Sequence, residues 1–474
     1  MKNDFKIGII FSALGQYSYL FIQLIINIVL SRILSPADFG IAMIVQVFLY
    51  FFQMLVNAGM GPAIVQNKEL TKKDYGVLFN HSAIFAAFCA LFFGSFGFIV
   101  SQIYNNSIYI PLFWCMSVVI LADGLNIVPN ALLTKEKRFI AINLRQAVAN
   151  LIGAAVGVVS ALLGAGVYAL ILSVAVPAVI ILILNAFIVK IQLTKSLDIK
   201  PLKAVWHFAK NQLGFTILTY FGKNSDNMLI GRFLGDAALG FYSKAYGLIV
   251  TPNVAFLGII NPVLQPILSE HQENIPLIKE TYLNVAKMLG VIGFPLTAFM
   301  ALNADKIIYF LFGRQWQAAV IVLAMLSLSI WAQMISAATS SIFQARNQPH
   351  LMFRISIIST ICIVLATVIG ILSGKLAVIS ICISTAYLLD FLMTNYVLMT
   401  YTLKDHIITL FKVLAKPFLL GIITALSILL IKPVTNFSSD FLTLLVRGIA
   451  WLVVIIAYLL LTGELKFIKR FLGK

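Results

Sequence analysis

Lys223 and Asp226 stand three residues apart in Tyr220-Phe221-Gly222-Lys223-Asn224-Ser225-Asp226-Asn227, well inside an apolar stretch that begins near Leu213. At that spacing both side chains share one helix face. An ammonium can hold an anion and a neighbouring carboxylate can tune or release it; the competing reading is a structural ion pair. A charge at mid-bilayer costs about 2.5–3.5 kcal/mol, so each needs a partner or a wet cavity. Five more ionisable residues lie in apolar stretches: Asp123, Arg145, Lys244, Lys287 and Asp390. Arg145 and Lys287 are within about two turns of a stretch end, where long basic side chains either bind a ligand or reach back to the interface. Asp123 and Asp390 sit deeper and suit a coupling ion or a lysine partner. Gln16, Gln23 and Asn27, then Gln46, Gln53 and Asn57, add neutral polar groups to the first two stretches, with Asn227 as the later counterpart of Asn27. Such groups either hydrogen-bond between helices or line a hydrophilic lumen.

These residues are positioned by a chain that is 61% hydrophobic and 11% charged over 474 residues, with mean hydropathy +0.99. So much apolar surface requires the bilayer as solvent. Fourteen apolar stretches of spanning length run from about 8–34 to 441–462, joined by short connections with no room for a soluble domain. The first lacks a small-residue cleavage site and reads as an uncleaved helix. Most of the 34 basic residues fall on one set of ends and loops; the other set holds Arg32, Arg232, Lys306, Arg314, Lys375 and Lys432. Both termini are therefore expected on the cytoplasmic side. The net charge of +17 is then a topology and lipid-contact signal, and nucleic acid is not an expected partner.

A corner near residue 30 recurs 200 positions later. Ser31-Arg32-Ile33-Leu34-Ser35-Pro36-Ala37-Asp38-Phe39-Gly40 lies over Gly231-Arg232-Phe233-Leu234-Gly235-Asp236-Ala237-Ala238-Leu239-Gly240, and Asn27 and Pro62 recur as Asn227 and Pro262. The expected architecture is all-α: two parallel six-helix lobes about an axis along the membrane normal, at 1–200 and 201–403, plus a C-terminal helix pair at 404–474. Gly153 and Gly157 form a GxxxG suited to close helix packing.

No phosphate-binding loop of the G-x-x-x-x-G-K-[ST] type is present, no H-E-x-x-H, and Cys89, Cys115, Cys362 and Cys382 show no metal-ligand spacing. No catalytic residue, metal or cofactor is expected. The repeated corner, Asp226–Gly235, Leu239-Gly240-Phe241-Tyr242, Leu311-Phe312-Gly313-Arg314-Gln315-Trp316 and Leu163–Leu170 together resemble the polysaccharide-transporter family. These are Wzx-like repeat-unit flippases of the multidrug/oligosaccharidyl-lipid/polysaccharide exporter superfamily. The resemblance implies alternating-access flipping of an undecaprenyl-diphosphate-linked oligosaccharide across a bacterial cell membrane. It also implies a proton or sodium ion as antiport partner, and a polymerase and glycosyltransferases in the same pathway. It transfers no site residue by motif. From the residues themselves, Lys223, Asp226, Arg145, Asn27, Asn227, Gln16, Gln53 and Asn57 are the expected substrate contacts, and Asp123 and Asp390 the expected ion-coupling groups. A multidrug antiporter of the same superfamily, a lipid II flippase and a membrane polymerase are the rival readings.

Overall fold

The computed structural model describes residues 22–57, 60–67, 69–189, 191, 194, 196, 198, 220–222 and 224–464. Every regular element among them is helical. Ten helices are long and apolar enough to cross a membrane, or eleven if a bent pair is one span. The expected count of fourteen extends into 8–21 and 205–219, outside the described residues. Large apolar side chains stand exposed along these helices, Leu163 and Leu372 by more than four-fifths. The chain is thus a multi-pass membrane protein, with lipid covering what a soluble fold would bury.

The chain divides into two compact units, 1–240 and 241–474. The first contains α1 (Ile22–Ile33), α2 (Pro36–Asn57), α3 (Met60–Gln66), α4 (Lys72–Tyr104), α5 (Tyr109–Lys135), α6 (Phe139–Leu162), α7 (Val167–Ile188), α8 (224–234) and the first turn of α9 (Asp236–Glu270). α2 starts sharply because Pro36 fits the first turn and Ser35 and Asp38 cap it reciprocally. The Ser35 amide donates to Asp38 Oδ2 at 3.0 Å, and the Asp38 amide to Ser35 Oγ at 3.3 Å. The second corner turns on Gly235, at φ +88°, and places Asp236 in the first turn of α9, where the helix dipole favours it.

The two corners meet reciprocally. A methyl group on Gly40 would lie 1.8 Å from the Asp236 carbonyl oxygen, and one on Gly240 would lie 1.9 Å from that of Pro36. Pro36 and Gly40 are the repeat equivalents of Asp236 and Gly240, so each corner presents to the other the surface it receives, as in a two-fold interface. Tyr109 and Asn106 then donate to the Asp236 carboxylate at 2.8 and 3.2 Å.

Small residues also set the packing of the remaining helices in this unit. A Cβ on Gly94 would strike the Trp114 ring, and one on Gly124 would meet Ala86 Cβ, which draws α5 onto α4. Phe93 stacks on Phe113 with centroids 4.5 Å apart and meets Phe52 edge-on at 5.1 Å, tying α2 to that pair. The expected close approach at the GxxxG is present: Gly153 faces Pro177 and Gly157 faces Ser173, bringing α6 against α7 in antiparallel register.

The second unit contains the rest of α9, α10 (Ile275–Leu302), α11 (Ala304–Leu311), α12 (Gln317–Ser327), α13 (Ile330–Ala345), α14 (Pro349–Leu372), α15 (Leu376–Val397), α16 (Ile407–Ile431) and α17 (Asp440–Leu461). The segment 314–327 and α13 form the bent pair, at 56°. α10 carries Gly290, Gly293 and Phe294 against α16 and α13, where Phe294 stacks on Trp331 at 4.6 Å. The C-terminal pair is pinned at one end to α11 and the α10–α11 junction, and at the other to α10. Lys306 meets Asp440 at 2.9 Å, and buried Arg447 donates to Asn303 at 2.9 Å and Thr435 at 3.0 Å. At the opposite end Glu464 meets Lys287 at 2.5 Å and Lys416 at 3.2 Å. Burial alone would raise the Glu464 carboxyl, but hydrogen bonds and charge from the two ammonium groups hold it below the usual range. Asp405, after α15, accepts from Lys279 at 3.0 Å. That bond, with the His406 amide, holds its carboxyl low as well.

Candidate functional site

Polar groups inside the first unit gather on α5. Asp123, Asn126 and Asn130 follow at spacings of three and four residues, so one face of an otherwise apolar helix carries a carboxylate and two amides. Gln53 of α2 donates from Nε2 to Asp123 Oδ2 at 2.5 Å, and among the described residues no cation pairs with that carboxylate. Asn185 of α7 bridges the two amides, donating to Asn126 Oδ1 at 2.6 Å and Asn130 Oδ1 at 3.1 Å. Arg145 of α6 donates from one terminal nitrogen to the same Asn130 oxygen at 2.7 Å.

Arg145 is only 6% exposed, and its Nε and the other terminal nitrogen are buried with no hydrogen-bond partner among the described residues. It therefore does not snorkel. A guanidinium carries five N–H donors and no acceptor, and leaving any of them dry and unsatisfied in an apolar bundle is costly. Asn150, farther along α6 and also buried, has an unpartnered amide nitrogen. The helices supply more donors here than acceptors.

The other expected site residues lie elsewhere. Lys223 and Gln16 fall outside the described residues. Asp226 is buried on α8, where its Oδ1 accepts from the backbone amide of Asn227 at 2.8 Å; Asn227 is buried beside it with its side-chain oxygen unpartnered. Asn27 and Asn57 are exposed and donate to carbonyls one turn back, Gln23 and Gln53, at 3.0 and 2.8 Å. Asp390 on α15 accepts from the hydroxyls of Ser359 and Thr394. Lys244 is buried against the rings of Phe312 and Trp316, 5.1 and 5.6 Å from their centroids. Lys287 belongs to the Glu464 clasp. The structure thus brings Gln53 to Asp123, and brings to Arg145 an asparagine, Asn130, that Asn185 also holds and that sequence reasoning did not single out. Its signal was the Asp123–Asn126–Asn130 spacing. Among the described residues no cluster of three metal-ligating side chains occurs.

Comparison with known proteins accords with this architecture. The family model described as "Polysaccharide biosynthesis protein" matches residues 29–321. The teichuronic acid biosynthesis protein TuaB of Bacillus subtilis (strain 168) is 28% identical over 223 residues, 47% of this chain; the matched stretch is 46% of that relative's own length. The lipopolysaccharide biosynthesis protein WzxC of Escherichia coli (strain K12) is 23% identical over 369 residues, 77% of this chain and 74% of that protein. The solved structure of the lipid II flippase MurJ in an inward closed conformation superposes with a TM-score of 0.76, over 96% of this chain and 99% of that one at 14% identity. At that identity the likeness shows the fold alone.

Proposed function

We propose, for a chain that belongs to the polysaccharide biosynthesis protein family, that it moves an undecaprenyl-diphosphate-linked oligosaccharide from the inner to the outer leaflet by alternating access. The observation that carries this reading is charge kept inside membrane-spanning helices, at Asp123 and Arg145, with no ionic partner among the described residues. A scaffold charge is satisfied in place, as Arg447 is by Thr435, Asn303 and the Lys432 carbonyl, whereas two nitrogens of Arg145 have no partner among the described residues. A transporter of a charged head group needs such groups. The diphosphate and its hydrated glycan are too polar to cross hydrocarbon unescorted, whereas the polyprenyl tail can stay in lipid. Basic groups, Lys223 and Arg145, are assigned to the diphosphate. Polar neutral groups, among them Asp226's neighbour Asn227, Gln53 and the first-span amides, are assigned to the glycan and its water. The lobes are taken as 1–200 and 201–403, with 404–474 appended, both termini cytoplasmic and the membrane that of a bacterial cell.

Ion coupling is assigned to Asp123 and Asp390. A carboxylate in a spanning helix costs about 2.5–3.5 kcal/mol to keep charged, a cost removed when it takes up a proton or a sodium ion. Gln53 orients Asp123 without neutralising it, which leaves that uptake available. With the membrane potential negative inside, outward movement of an anion is favoured by about 2.3 kcal/mol per charge at 100 mV, and ion exchange adds to this. No enzymatic step is required, and a polymerase and glycosyltransferases would act before and after.

The test is the sidedness of lipid-linked oligosaccharide in a producer strain lacking the gene, with the intact chain or Asp123→Asn added back. Repeat units accumulating on the cytoplasmic leaflet, cleared by the intact chain and poorly by the variant, support flipping with Asp123 in the cycle. Clearance by both leaves flipping standing and removes Asp123. Normal outer-leaflet delivery without the gene overturns the reading.

A further inference from the structure

Gln46, Tyr50, Gln53 and Asn57 follow one another along α2 at spacings of four, three and four, so three amides and a phenol share one helix face. Both flanks of that face are occupied. On one side Val56 lies against Gly124 and Gln53 reaches Asp123, both on α5. On the other, the Phe51 ring meets those of Tyr220 and Phe221 at 6.2 and 4.8 Å, and the Tyr220 hydroxyl donates to the Val47 carbonyl. The face between them is open: Tyr50 is 53% exposed, and Asn57 is exposed as well. Its amides are not used to hold helices together, Gln53 apart. Gln46 makes no side-chain hydrogen bond among the described residues, and Asn57 Nδ2 donates within its own helix, to the Gln53 carbonyl at 2.8 Å. Amides left so in a spanning helix are costly against hydrocarbon, so this face meets water and not lipid tails. In the 200-residue register of the two corners, the second repeat carries Tyr246, Val250, Asn253 and Leu257. The duplicated helix therefore demands neither a ring at the second place nor an amide at the fourth.

We propose that Tyr50 is a sugar platform of the first unit: a neutral pyranose of the lipid-linked glycan lays its C–H face on the phenol ring, while Gln46 and Asn57 pair with hydroxyls at the rim. This rests on the flippase reading and names the class of sugar that the chain selects. A pyranose is divided as this face is. Ring hydrogens gather on one side of the sugar, carry slight positive charge and are drawn to the electron-rich face of an aromatic ring. The hydroxyls point outward and need donors and acceptors, and a neutral amide supplies both. Gln46 stands about 6 Å from Tyr50 along the helix axis and Asn57 about 10 Å the other way, at 1.5 Å per residue, so the face has length for more than one ring. The Tyr220 phenol, within electrostatic reach of that of Tyr50, adds a second aromatic edge, braced from behind by Phe51. Charge sets the class. No residue of the face is ionic, and the Asp123 carboxylate held by Gln53 repels a uronate beside it.

The experiment measures binding of undecaprenyl diphosphate, its glucosyl form and its glucuronosyl form to the full chain in nanodiscs. The quantity read is the gain in affinity of each glycosylated lipid over the bare one. Tyr50→Leu should lose the glucosyl gain by roughly 3- to 10-fold, the size of a stacked ring contact, and Tyr50→Phe should keep most of it. Gln46→Leu should lose part. Tyr396→Leu removes an equally exposed tyrosine from α15 and should match the parent. Binding of the bare lipid and the thermal midpoint should hold in all four. An equal glucosyl gain in parent and Tyr50→Leu overturns the platform and leaves flipping untouched, and so does a parent with no gain. A Tyr50→Leu chain that loses the bare lipid to the same extent, or loses its thermal midpoint, marks a structural residue and overturns it too. Tyr50→Phe as weak as Tyr50→Leu assigns the contact to the hydroxyl and overturns the stacking. Glucuronosyl lipid bound as tightly as glucosyl overturns the selection of a neutral sugar. Normal leaflet sidedness without the gene would instead sink the flippase reading, with the binding comparison unaffected.

Discussion

Gly240→Ala tests the reciprocal corner. The added methyl would stand 1.9 Å from the Pro36 carbonyl oxygen, where ordinary contact begins at 3.4 Å, so the two backbones must part by about 1.5 Å. The obstructing atom belongs to the backbone at a proline and cannot turn aside as a side chain would. Overpacking typically costs 1–3 kcal/mol, and this geometry calls for about 3 kcal/mol, charged only to the state in which the corners touch. If they separate during alternating access, that penalty shifts the balance toward the parted state by about 100-fold. The readout is the reaction of a membrane-impermeant maleimide with Ser31→Cys, in a background with Cys89, Cys115, Cys362 and Cys382 replaced. Ser31 is fully buried in the parent. Gly240→Ala and its repeat equivalent Gly40→Ala should both label far faster. Gly247→Ala, on the same helix with nothing within 4 Å of the new methyl, should match the parent. Parent-like labelling in both corner variants would refute the idea that this backbone contact keeps Ser31 buried.

Three further outcomes are expected. Glu464→Gln leaves Lys287 and Lys416 facing a neutral amide, and should lower stability by about 3 kcal/mol, the low end for breaking a buried pair because Lys416 is well exposed; thermal unfolding of purified protein reads this, and an unchanged midpoint would count against the clasp. The Asp405 carboxyl is held low by Lys279 in the folded chain, so its contribution is present above the unfolded carboxylate range near 4 and lost as pH falls through the lower folded value. Thermal midpoints of the parent should therefore drop more steeply below about pH 4 than those of Asp405→Asn, and parallel curves would contradict the assignment. In proteoliposomes, Asp123→Asn should make substrate movement insensitive to an imposed proton or sodium gradient, whereas Gln53→Leu should weaken the coupling without abolishing it; full gradient dependence in Asp123→Asn would remove that carboxylate from the cycle.

The corner is legible in sequence because its constraint is local. Glycine at 40 and 240 is dictated by a backbone approach that no side chain can share, and the same residue types mark both halves. The GxxxG is legible for the same reason. The clasp is not. Lys287 and Glu464 are 177 residues apart, and a lone lysine near a helix end reads equally well as one reaching for the interface. The asparagine network hides in another way. Asn126 and Asn130 sit on α5 and Asn185 on α7, and each alone looks like an ordinary interhelical hydrogen-bonding residue. Only the packing of α5, α6 and α7 joins them to one another and Arg145 to Asn130.

The distribution of charge separates scaffold from chemistry. In the second unit Lys279, Lys287, Lys306 and Lys416 each meet a carboxylate near a helix end, and Arg447 is satisfied by Asn303, Thr435 and the Lys432 carbonyl. Those charges fasten the C-terminal helix pair. In the first unit Asp123 and Arg145 lie on facing helices of one bundle, and each relies on an amide rather than on the other. Along α5, Asp123 and Asn130 are seven residues apart, about 10 Å, so the carboxylate and the guanidinium stay apart. Had the fold needed them for stability, pairing them would have removed both desolvation costs at once. Kept apart, each fits the role proposed for it, a coupling cation at Asp123 and the diphosphate at Arg145. Counted from the left-handed residues that bound α6 and α14, Lys137 with Gly164 and Asn347 with Gly374, the places of Asp123 and Arg145 are taken in the second unit by Gln333 and Ile355.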